Sequence, residues 1–524
     1  MGSPGAVVLD AVNAAAFFLV ASYVAYVVLI VVPMVRRHPA VPGDAGNLAW
    51  HFIVPCLNEQ AVVADTVRRL VSQFPEAGIW CVDDGSDDAT ASVLAGLQAE
   101  YPQVHVVTRR APDARTGKGP ALNAGWRAVV AALPAGADPE RTVVAVIDAD
   151  GHLDPACLDM VAGPSFLGDP AVGAVQIKVR VSDRSAPAGF RLPRRQRLLI
   201  RLQDVEFTGV IAAQQMLRRH LGSVGMGGNG QFTRLSVLQE IARTYGTPWH
   251  GSLLEDFELG LHVLLVGHRT QYCHETWVEQ EGLASFWGLV RQRSRWAQGN
   301  MQCWRYLGAV LRSRNIATPG ALEIAYFLLL PWVQVVGSVL YVVVLSLFSY
   351  YALATPGGPL AWFDGGAWGI IPLLILFGIG PLAIWGPVYR RCTDRRLSRV
   401  RALALGLANW PYTTVHYLAT WWAFSRVVRA RHDWKKTARV APGPSPVPPL
   451  PAPVRPQPVP RPAAATVAAP ITAVPTHLVA GTFARSHRRR FEYRRTTAVG
   501  RFRPRAMANP LPTIERNSHD VSIP

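Results

Sequence analysis

The sequence predicts an α/β domain, in which helices cover a parallel sheet, set between membrane-spanning segments and followed by a disordered tail. Strand-like and helical segments alternate over residues 50–315, as in layered α/β domains. Apolar blocks long enough to span a bilayer lie at 11–35, 322–353 and 367–389. Residues 441–524 are rich in Pro, Ala and Arg and lack the apolar pattern of a packed core, which indicates disorder.

The composition narrows the class of partner. The chain has 524 residues, 50% of them hydrophobic, and a formal net charge of +18. A basic chain can bind nucleic acid, but no helix-turn-helix, zinc-finger or RRM pattern is present. With membrane segments in the chain, anionic lipid accounts for the charge more simply, so we expect membrane lipids and no nucleic acid as partners. The six cysteines form no C-x-x-C pair and are expected to be reduced thiols.

The first apolar block, residues 11–35, is predicted to be a membrane anchor. No basic region precedes it and no small-residue cleavage site follows it, unlike a removed signal peptide. Arg36 and Arg37 come directly after it, and the positive-inside rule therefore places the N-terminus outside and the α/β domain in the cytosol. The expected location is the cell membrane, with several passes.

Polar clusters follow three of the predicted strands. They are Asn58 and Glu59 after the strand at 50–55, Asp83 and Asp84 after the strand at 80–82, and Asp148 and Asp150 after the strand at 143–147. The carboxyl ends of parallel strands meet at one edge of a sheet, where ligands of α/β proteins bind. The sequence therefore predicts a nucleotide site at this edge.

Asp148 and Asp150 are candidate metal ligands. Residues i and i+2 of an extended chain point the same way, so the two carboxylates are expected to be neighbours. Carboxylates held together in apolar surroundings repel unless a cation lies between them. Oxygen ligands of this kind suit Mg²⁺ or Mn²⁺, which take one or two protein carboxylates and complete their shell with phosphate oxygens.

Three further segments carry polar residues in a distinctive setting. Residues 116–125 are predicted to be a Gly-rich turn that holds Lys118 and Asn123, and residues 225–231 a second one. Glu255 and Asp256 are expected where a helix begins, because acidic side chains favour helix N-termini. The last segment, 291–298, combines three arginines with a Gln and a Trp, an unusual composition for a solvated basic face.

The C-terminal membrane region is predicted from its charges. The loop between 322–353 and 367–389 has no Lys or Arg and is expected outside, whereas the arginines of 390–401 are expected inside. If residues 402–424 crossed the membrane, the basic run that follows would lie outside, against the same rule. We therefore predict that residues 402–430 are an interfacial or re-entrant segment, with a full span as the alternative.

Four of these motifs together resemble a known enzyme family. Asp83-Asp84, Asp148-Ala149-Asp150, Glu255-Asp256 and Gln292-Arg293-Ser294-Arg295-Trp296 are similar to the D, DxD, (T/S)ED and Q(Q/R)xRW motifs of membrane-integrated family 2 glycosyltransferases, such as cellulose, hyaluronan and poly-N-acetylglucosamine synthases. The resemblance covers about residues 50–300, in the same order. Leu254 replaces the usual Thr or Ser, and Gly151 follows the DxD motif; both departures leave the sugar specificity open.

The resemblance implies a Rossmann-like GT-A fold, a UDP-sugar donor and a Mg²⁺ or Mn²⁺ ion. It implies nucleotide contacts for Asp83, Asp84, Asn58, Glu59, Lys118, Asn123 and Asp148, and metal binding for Asp148 and Asp150. It implies that Asp256 is the catalytic base, and that Glu255, Gln292, Arg293, Arg295 and Trp296 serve the acceptor and the diphosphate. Residues 431–440 resemble a gating loop, with Trp434, Lys436 and Thr437 as its functional residues. Such a loop must be cytosolic, which agrees with a re-entrant 402–430 segment.

The predicted function is transfer of a hexose, glucose or N-acetylglucosamine, with inversion, from a UDP-sugar to a growing β-linked polysaccharide that the protein could export. The alternative is a non-processive enzyme that makes a glycolipid such as glucosyl-diacylglycerol. The acceptor is accordingly a glycan or a lipid, and the sequence does not predict the oligomeric state. A third hypothesis, an inactive membrane scaffold, conflicts with the carboxylates present at every catalytic position of the family.

Overall fold

A computed structural model describes residues 4–183, 192–364, 372 and 374–431 of the chain. All of these residues belong to one compact unit. The predicted gating residues Trp434, Lys436 and Thr437 and the predicted tail, 441–524, lie outside the described residues.

The described residues form one sheet of eight strands. The strands are β1 (Ala49–Cys56), β2 (Gly78–Asp83), β3 (Val104–Thr108), β4 (Thr142–Val146), β5 (His152–Leu153), β6 (Val172–Ser182), β7 (Gln231–Arg234) and β8 (Arg269–Glu281). Their order in the sheet is β3-β2-β1-β4-β7-β6-β8-β5. β3, β2, β1 and β4 are mutually parallel, whereas β7 is antiparallel to both of its neighbours. The α/β Rossmann-like sheet expected from the sequence is therefore confirmed.

Helices account for most of the remaining described chain. Those of the α/β region are α1 (Pro4–Val35), α2 (Val63–Gln73), α3 (Thr90–Glu100), α4 (Lys118–Ala132), α5 (Cys157–Val161), α6 (Arg194–Val205), α7 (Ala212–Leu221), α8 (Leu235–Tyr245), α9 (Glu255–Leu265), α10 (Phe286–Cys303) and α11 (Leu307–Arg312). They are followed by α12 (Thr318–Ala354), α13 (Gly358–Asp364), α14 (Gly380–Ala383), α15 (Trp385–Cys392), α16 (Arg399–Tyr412) and α17 (Thr414–Val428). Short π-helical segments cover Glu206–Ile211 and Leu374–Ile379.

Both faces of the parallel strands are buried. In β1, Ile53 packs into the core on one side of the sheet, and Phe52 and Val54 pack into the core on the other side. This explains why the strands read as continuous apolar runs rather than as alternating patterns. The first core also contains Ile30 and Met34 of α1, so the N-terminal helix packs directly on the α/β domain.

The Gly-rich turn predicted for 116–125 is wrong, because α4 begins at Lys118 and runs through it. Two of the three glycines in this segment, Gly119 and Gly125, lie within α4 and allow close packing of the helix. A Cβ atom at Gly119 would lie 2.5 Å from the carbonyl oxygen of His250, and one at Gly125 would lie 2.8 Å from the Ile53 side chain. Glycine therefore lets α4 approach β1 and the 250 loop.

Two of the described helices are long and apolar enough to cross a membrane, judged by length and composition. They are the segment Phe17–Val35 of α1 and the whole of α12, Thr318–Ala354. Their positions correspond to the predicted spans 11–35 and 322–353. Part of the predicted span 367–389 lies outside the described residues, and its described part consists of a π-helical segment, α14 and most of α15.

Helices α16 and α17 cover the predicted 402–430 segment, and the chain contacts the α/β region just before α16 and just after α17. Just before α16, Asp394 accepts a hydrogen bond from Arg201 of α6 at 2.5 Å. Just after α17, the backbone carbonyl of Arg431 accepts one at 2.7 Å from Gln298 of α10. α16 ends at Tyr412 and α17 begins at Thr414, so only Thr413 separates the two helices.

Candidate active site

The carboxyl ends of β1, β2 and β4 bring the predicted acidic residues to one edge of the sheet. Asp84, Asp148 and Asp150 line one cavity together with Glu59, which is 5% exposed. Asn58 and Asp83 are not among the residues that line this cavity. Asn58 accepts a hydrogen bond from the backbone N–H of Asp87 at 3.0 Å, and the Asp83 carboxylate accepts one from Ser86 at 3.0 Å. These two side chains shape the loops after β1 and β2.

Asp84 is paired with Arg109, a residue that the sequence analysis did not single out. The Arg109 guanidinium donates to the Asp84 carboxylate and, at 3.3 Å, to the hydroxyl of Thr116. Burial raises the pKa of Asp84 although Arg109 opposes the shift. Arg109 directly follows β3, so the rule that functional residues follow parallel strands would have found it.

Lys118 lies at the centre of the acidic cluster. Its ammonium donates to the Asp148 carboxylate at 2.7 Å and to the carbonyl of Gly228 at 3.0 Å, and it lies 3.9 Å from the Glu255 carboxylate. Burial by itself would lower the pKa of Lys118, but the surrounding carboxylates of Asp148, Glu255 and Asp256 raise it. This lysine therefore balances part of the negative charge that the site gathers.

Glu255 and Asp256 occupy the first turn of α9, as predicted, and each is 9% exposed. Burial and the neighbouring Asp256 raise the pKa of Glu255 to about 8, and burial raises the pKa of Asp256. The Asp256 carboxylate accepts a hydrogen bond from the backbone N–H of Phe257 at 2.7 Å. A Cβ atom at Gly228 would lie 2.9 Å from that carboxylate and 2.7 Å from the Lys118 ammonium, so a larger residue there would displace one of these two groups.

The residues of the fourth motif lie on α10 and point in different directions. Arg295 lies near Glu255 and Asp148; burial lowers its pKa, and these two carboxylates oppose the shift. Arg293 is 3% exposed and donates two hydrogen bonds to Glu206, at 3.0 and 2.7 Å. The structure therefore brings Arg295 to the acidic cluster, but it does not bring Arg293 there.

Trp296 lies in the cavity between the acidic cluster and the helices that follow the α/β domain. The Arg293 guanidinium lies over its ring, 4.0 Å from the ring centre, and Phe207 meets it edge-on at 5.9 Å. Gln292, which also lines the cavity, accepts a hydrogen bond from Arg293 at 2.5 Å. Trp296 itself is half-buried where it lines the cavity.

The loop before α9 is fixed by side chains from two helices. Asn123 of α4 donates to the carbonyl of Trp249 at 2.7 Å and accepts from its N–H at 3.1 Å. Gln302 of α10 accepts from the backbone N–H of Leu253 at 2.8 Å. Asn123 was predicted to contact the nucleotide, but it is not among the residues lining the cavity. It holds the loop that leads to Asp256.

The donor set at the sheet edge fits Mg²⁺ or Mn²⁺ bound together with a diphosphate. Asp148 and Asp150 both line the cavity, and Asp150 also accepts a hydrogen bond from the backbone N–H of Glu281 at 3.1 Å. No cluster of three or more His, Cys, Asp or Glu side chains suited to a metal ion occurs among the described residues. Two carboxylates are what Mg²⁺ takes from a protein when phosphate oxygens supply other ligands.

The cavity has a volume of about 2100 Å³ and continues beyond the carboxylates into the C-terminal helices. Its far end is lined mainly by aliphatic and aromatic side chains, among them Phe18, Leu330, Val333, Leu340, Phe377 and Leu382. Two polar side chains there are already hydrogen-bonded within the protein: Gln334 to Thr420 at 2.8 Å, and Ser338 to Trp421 at 2.9 Å. One continuous space therefore joins a charged site to an apolar one.

A Rossmann-like sheet with paired acids at its strand ends, and a further acidic helix terminus facing them, defines the class of GT-A glycosyltransferases. Residues 49–299 match the family model described as "Glycosyltransferase like family 2". The chain thus contains a glycosyltransferase domain of family 2, which confirms the resemblance and the assignment as an enzyme.

Curated relatives of the chain have two different activities. It is 29% identical over 277 residues to a beta-monoglucosyldiacylglycerol synthase of Synechocystis, which covers 51% of each chain. It is 25% identical over 253 residues to a poly-beta-1,6-N-acetyl-D-glucosamine synthase of Staphylococcus epidermidis, 47% of this chain and 53% of that one. The chain thus spans about half the length of the curated relatives it matches.

Among solved structures, a mannosyltransferase from Pyrobaculum calidifontis in complex with GDP-Man and Mn²⁺ is similar with a TM-score of 0.46 and 17% identity. The superposition covers 77% of this chain and 97% of that one.

Proposed function

We propose that this protein transfers a hexose, glucose or N-acetylglucosamine, from a UDP-sugar to the hydroxyl of a membrane lipid such as diacylglycerol. The observation that carries the proposal is the continuous cavity, whose charged end holds Asp84, Asp148 and Asp256 and whose far end is apolar. An acceptor that fits both ends has a hydroxyl group attached to long apolar chains. The relatives named as beta-monoglucosyldiacylglycerol synthases support the same acceptor.

Polymer synthesis, which the sequence favoured, is the second candidate. It is supported by Trp296, because a flat aromatic face in the cavity suits a pyranose ring, and by the relatives named as poly-beta-1,6-N-acetyl-D-glucosamine synthases. The apolar far end of the cavity favours the lipid, since a polysaccharide would leave its many hydroxyl groups facing aliphatic side chains.

The UDP-sugar donor would bind at the edge of the sheet. Asp84 would contact the nucleotide, and Asp148 and Asp150 would hold Mg²⁺ or Mn²⁺ against the diphosphate. The metal, when bound, would neutralise charge on the departing UDP. Lys118 would keep the carboxylates of the site from repelling that diphosphate, and Arg295, which lies beside Glu255 and Asp148, would add a second fixed cation.

The transfer would proceed in one displacement with inversion. The acceptor oxygen forms a bond to the anomeric carbon while the bond from that carbon to the phosphate oxygen breaks, and UDP leaves with the electron pair. The acceptor proton passes to the Asp256 carboxylate, which acts as the general base. Trp296 would carry the acceptor beside this carboxylate, and Gln292, on the same helix, would orient it.

The membrane arrangement is part of the proposal. We propose that α1 and α12 cross the membrane and that the catalytic domain is cytosolic. The contacts Arg201–Asp394 and Gln298–Arg431 join both ends of the α16–α17 segment to the catalytic domain, which supports a segment that enters and leaves on the same side. A gating role for Trp434, Lys436 and Thr437 would require the same cytosolic side.

The test is to size the product. The protein, purified in detergent with Mg²⁺ or Mn²⁺ and supplied with diacylglycerol, receives radiolabelled UDP-glucose and UDP-N-acetylglucosamine in separate reactions. We expect a single-sugar product that partitions into organic solvent and depends on added diacylglycerol, and none with Asp256→Asn. A high-mass aqueous product that a glycanase degrades would instead establish the polysaccharide candidate.

A further inference from the structure

A π-helical segment interrupts the helix that faces α10. It covers Glu206–Ile211, between α6 and α7, and such segments occur frequently at functional sites. Its first residue, Glu206, is 6% exposed. None of the sequence motifs includes this glutamate, and the transfer reaction does not use it directly. A carboxylate buried so deeply requires partners, and its partners connect it to the acceptor site.

Glu206 joins three parts of the chain. Arg293 of α10 donates to both of its oxygens, and the hydroxyl of Tyr412, at the end of α16, donates to one of them at 2.5 Å. His416 of α17 lies 3.7 Å from the other oxygen. Arg293 and Tyr412 are themselves buried, 3% and 6% exposed. These interactions are thus shielded from water. Hydrogen bonds between charged groups are stronger in such a buried environment than in water.

The same interactions fix Trp296 from one side. Arg293 precedes Trp296 by three residues on α10, and its guanidinium lies over the ring at 4.0 Å. Phe207, the residue after Glu206, meets the edge of the same ring at 5.9 Å. The π-helical segment therefore contacts Trp296 directly through Phe207 and indirectly through Glu206 and Arg293.

We propose that Glu206 is a positioning residue for the acceptor, acting through Arg293 on Trp296 and coupling that platform to α16 through Tyr412. The inference rests on the proposed function, in which Trp296 carries the acceptor. Glu206 neutralises the cation that lies against the ring. Without the negative charge of Glu206, the Arg293 guanidinium would be a buried cation without a counter-charge. It would then withdraw electron density from the Trp296 ring, whose face a sugar or glycerol C–H group contacts.

The neighbouring turn offers a matched control. Asp204 is 4% exposed and accepts a hydrogen bond from the Tyr389 hydroxyl at 2.6 Å, just as Glu206 accepts one from Tyr412. Tyr389 lies on α15 and does not line the cavity. Tyr389→Phe and Tyr412→Phe therefore delete the same group from equivalent buried pairs, and only the second pair is joined to Trp296 through Arg293.

The experiment compares the full-length wild type with Tyr412→Phe, Glu206→Gln, Glu206→Asp and Tyr389→Phe. It measures acceptor KM and kcat at saturating UDP-sugar, UDP affinity by calorimetry, and Tm. We expect Glu206→Gln and Tyr412→Phe to raise the acceptor KM, the first about tenfold because it weakens charged hydrogen bonds. UDP affinity should change less than about twofold, and Glu206→Asp should restore part of the KM. Tyr389→Phe should lower Tm as much as Tyr412→Phe and leave KM unchanged.

Several outcomes would overturn the inference. Equal KM shifts in Tyr412→Phe and Tyr389→Phe would reduce Glu206 to a structural role, as would a loss of Tm with unchanged KM. If Glu206→Gln weakened UDP binding and left the acceptor KM unchanged, Arg293 would serve the UDP-sugar donor and not the acceptor. Tyr412→Phe keeps the test valid if Glu206→Gln does not fold. A wild type that transfers no hexose would refute the proposed function, and this inference with it. Normal transfer by the wild type, without a difference in acceptor KM between Tyr412→Phe and Tyr389→Phe, would refute the inference alone.

Discussion

Replacing Asp256 by asparagine is the most direct test of the proposed chemistry. The substitution keeps the size of the side chain, and the amide oxygen can still accept the hydrogen bond that the Phe257 N–H donates at 2.7 Å. The first turn of α9 should therefore stay intact. What disappears is the group that takes the acceptor proton, together with one negative charge near Lys118.

The expected effect is large on turnover and small on binding. A positioned general base contributes about 10² to 10⁴ in rate, which corresponds to about 3 to 5 kcal/mol in the barrier. Donor binding should change little, because Asp84, Asp148 and Lys118 remain in place. Loss of a carboxylate near the diphosphate also relieves repulsion, so UDP affinity should be equal to or slightly higher than that of the wild type.

The assay measures product formation per enzyme together with UDP affinity by calorimetry. Asp169→Asn serves as the control, because Asp169 is a carboxylate paired with Arg269 outside the cavity. It should keep wild-type turnover. An Asp256→Asn variant that keeps more than about a tenth of the turnover, or that binds UDP more than tenfold more weakly, would refute the assignment of the base.

Three further predictions concern stability and the tail. Asn123→Ala should lower the free energy of unfolding by about 2 kcal/mol, seen as a drop in Tm, because it leaves the buried N–H and C=O of Trp249 without their partner; an unchanged Tm would contradict this. His262 is 1% exposed, and burial, with His250 nearby, lowers its pKa from 6.5 to about 4. Since the unfolded chain binds the proton first, His262 should contribute a loss of about 3 kcal/mol in stability as the pH drops from 6.5 to 4. Burial also lowers the pKa values of His51 and His274, which add to this loss, so His262→Gln should make the fall in Tm over that range smaller. Deletion of residues 441–524 should leave turnover in detergent unchanged, and a collapse in activity would show that the tail takes part in the reaction.

The residues at the sheet edge could be predicted from the sequence because they depend on short-range patterns in the chain. β4 and the acids after it are a few residues apart, and parallel strands present their carboxyl ends at a common edge. The predicted convergence of Asp84, Asp148 and Asp150 therefore needed no knowledge of distant contacts. The start of α9 at Glu255 follows from the same kind of local preference, that of acids for helix N-termini.

The sequence predictions differ from the structure where packing between distant segments of the chain determines the local conformation or the partner of a side chain. The glycines at 119 and 125 were interpreted as a turn because glycine adopts unusual backbone angles, but here they allow α4 to pack closely on β1 and on the 250 loop. Asn123 matched a nucleotide-side position, yet its partner is Trp249. Neither contact has a signature within the segment, because the partner residues lie far away in the chain.

The divergence of Arg293 and Arg295 follows from helix geometry together with one distant residue. At about 100° per residue, side chains two positions apart on α10 point about 200° away from each other, so both arginines cannot face the same diphosphate. Trp296 lies about 60° from Arg293 and about 100° from Arg295, so it borders both faces of the helix. The periodicity alone shows that one arginine must turn away from the acidic cluster. Which one does so depends on Glu206, and no pattern within residues 291–298 reveals that carboxylate. The platform therefore depends on a residue outside every motif.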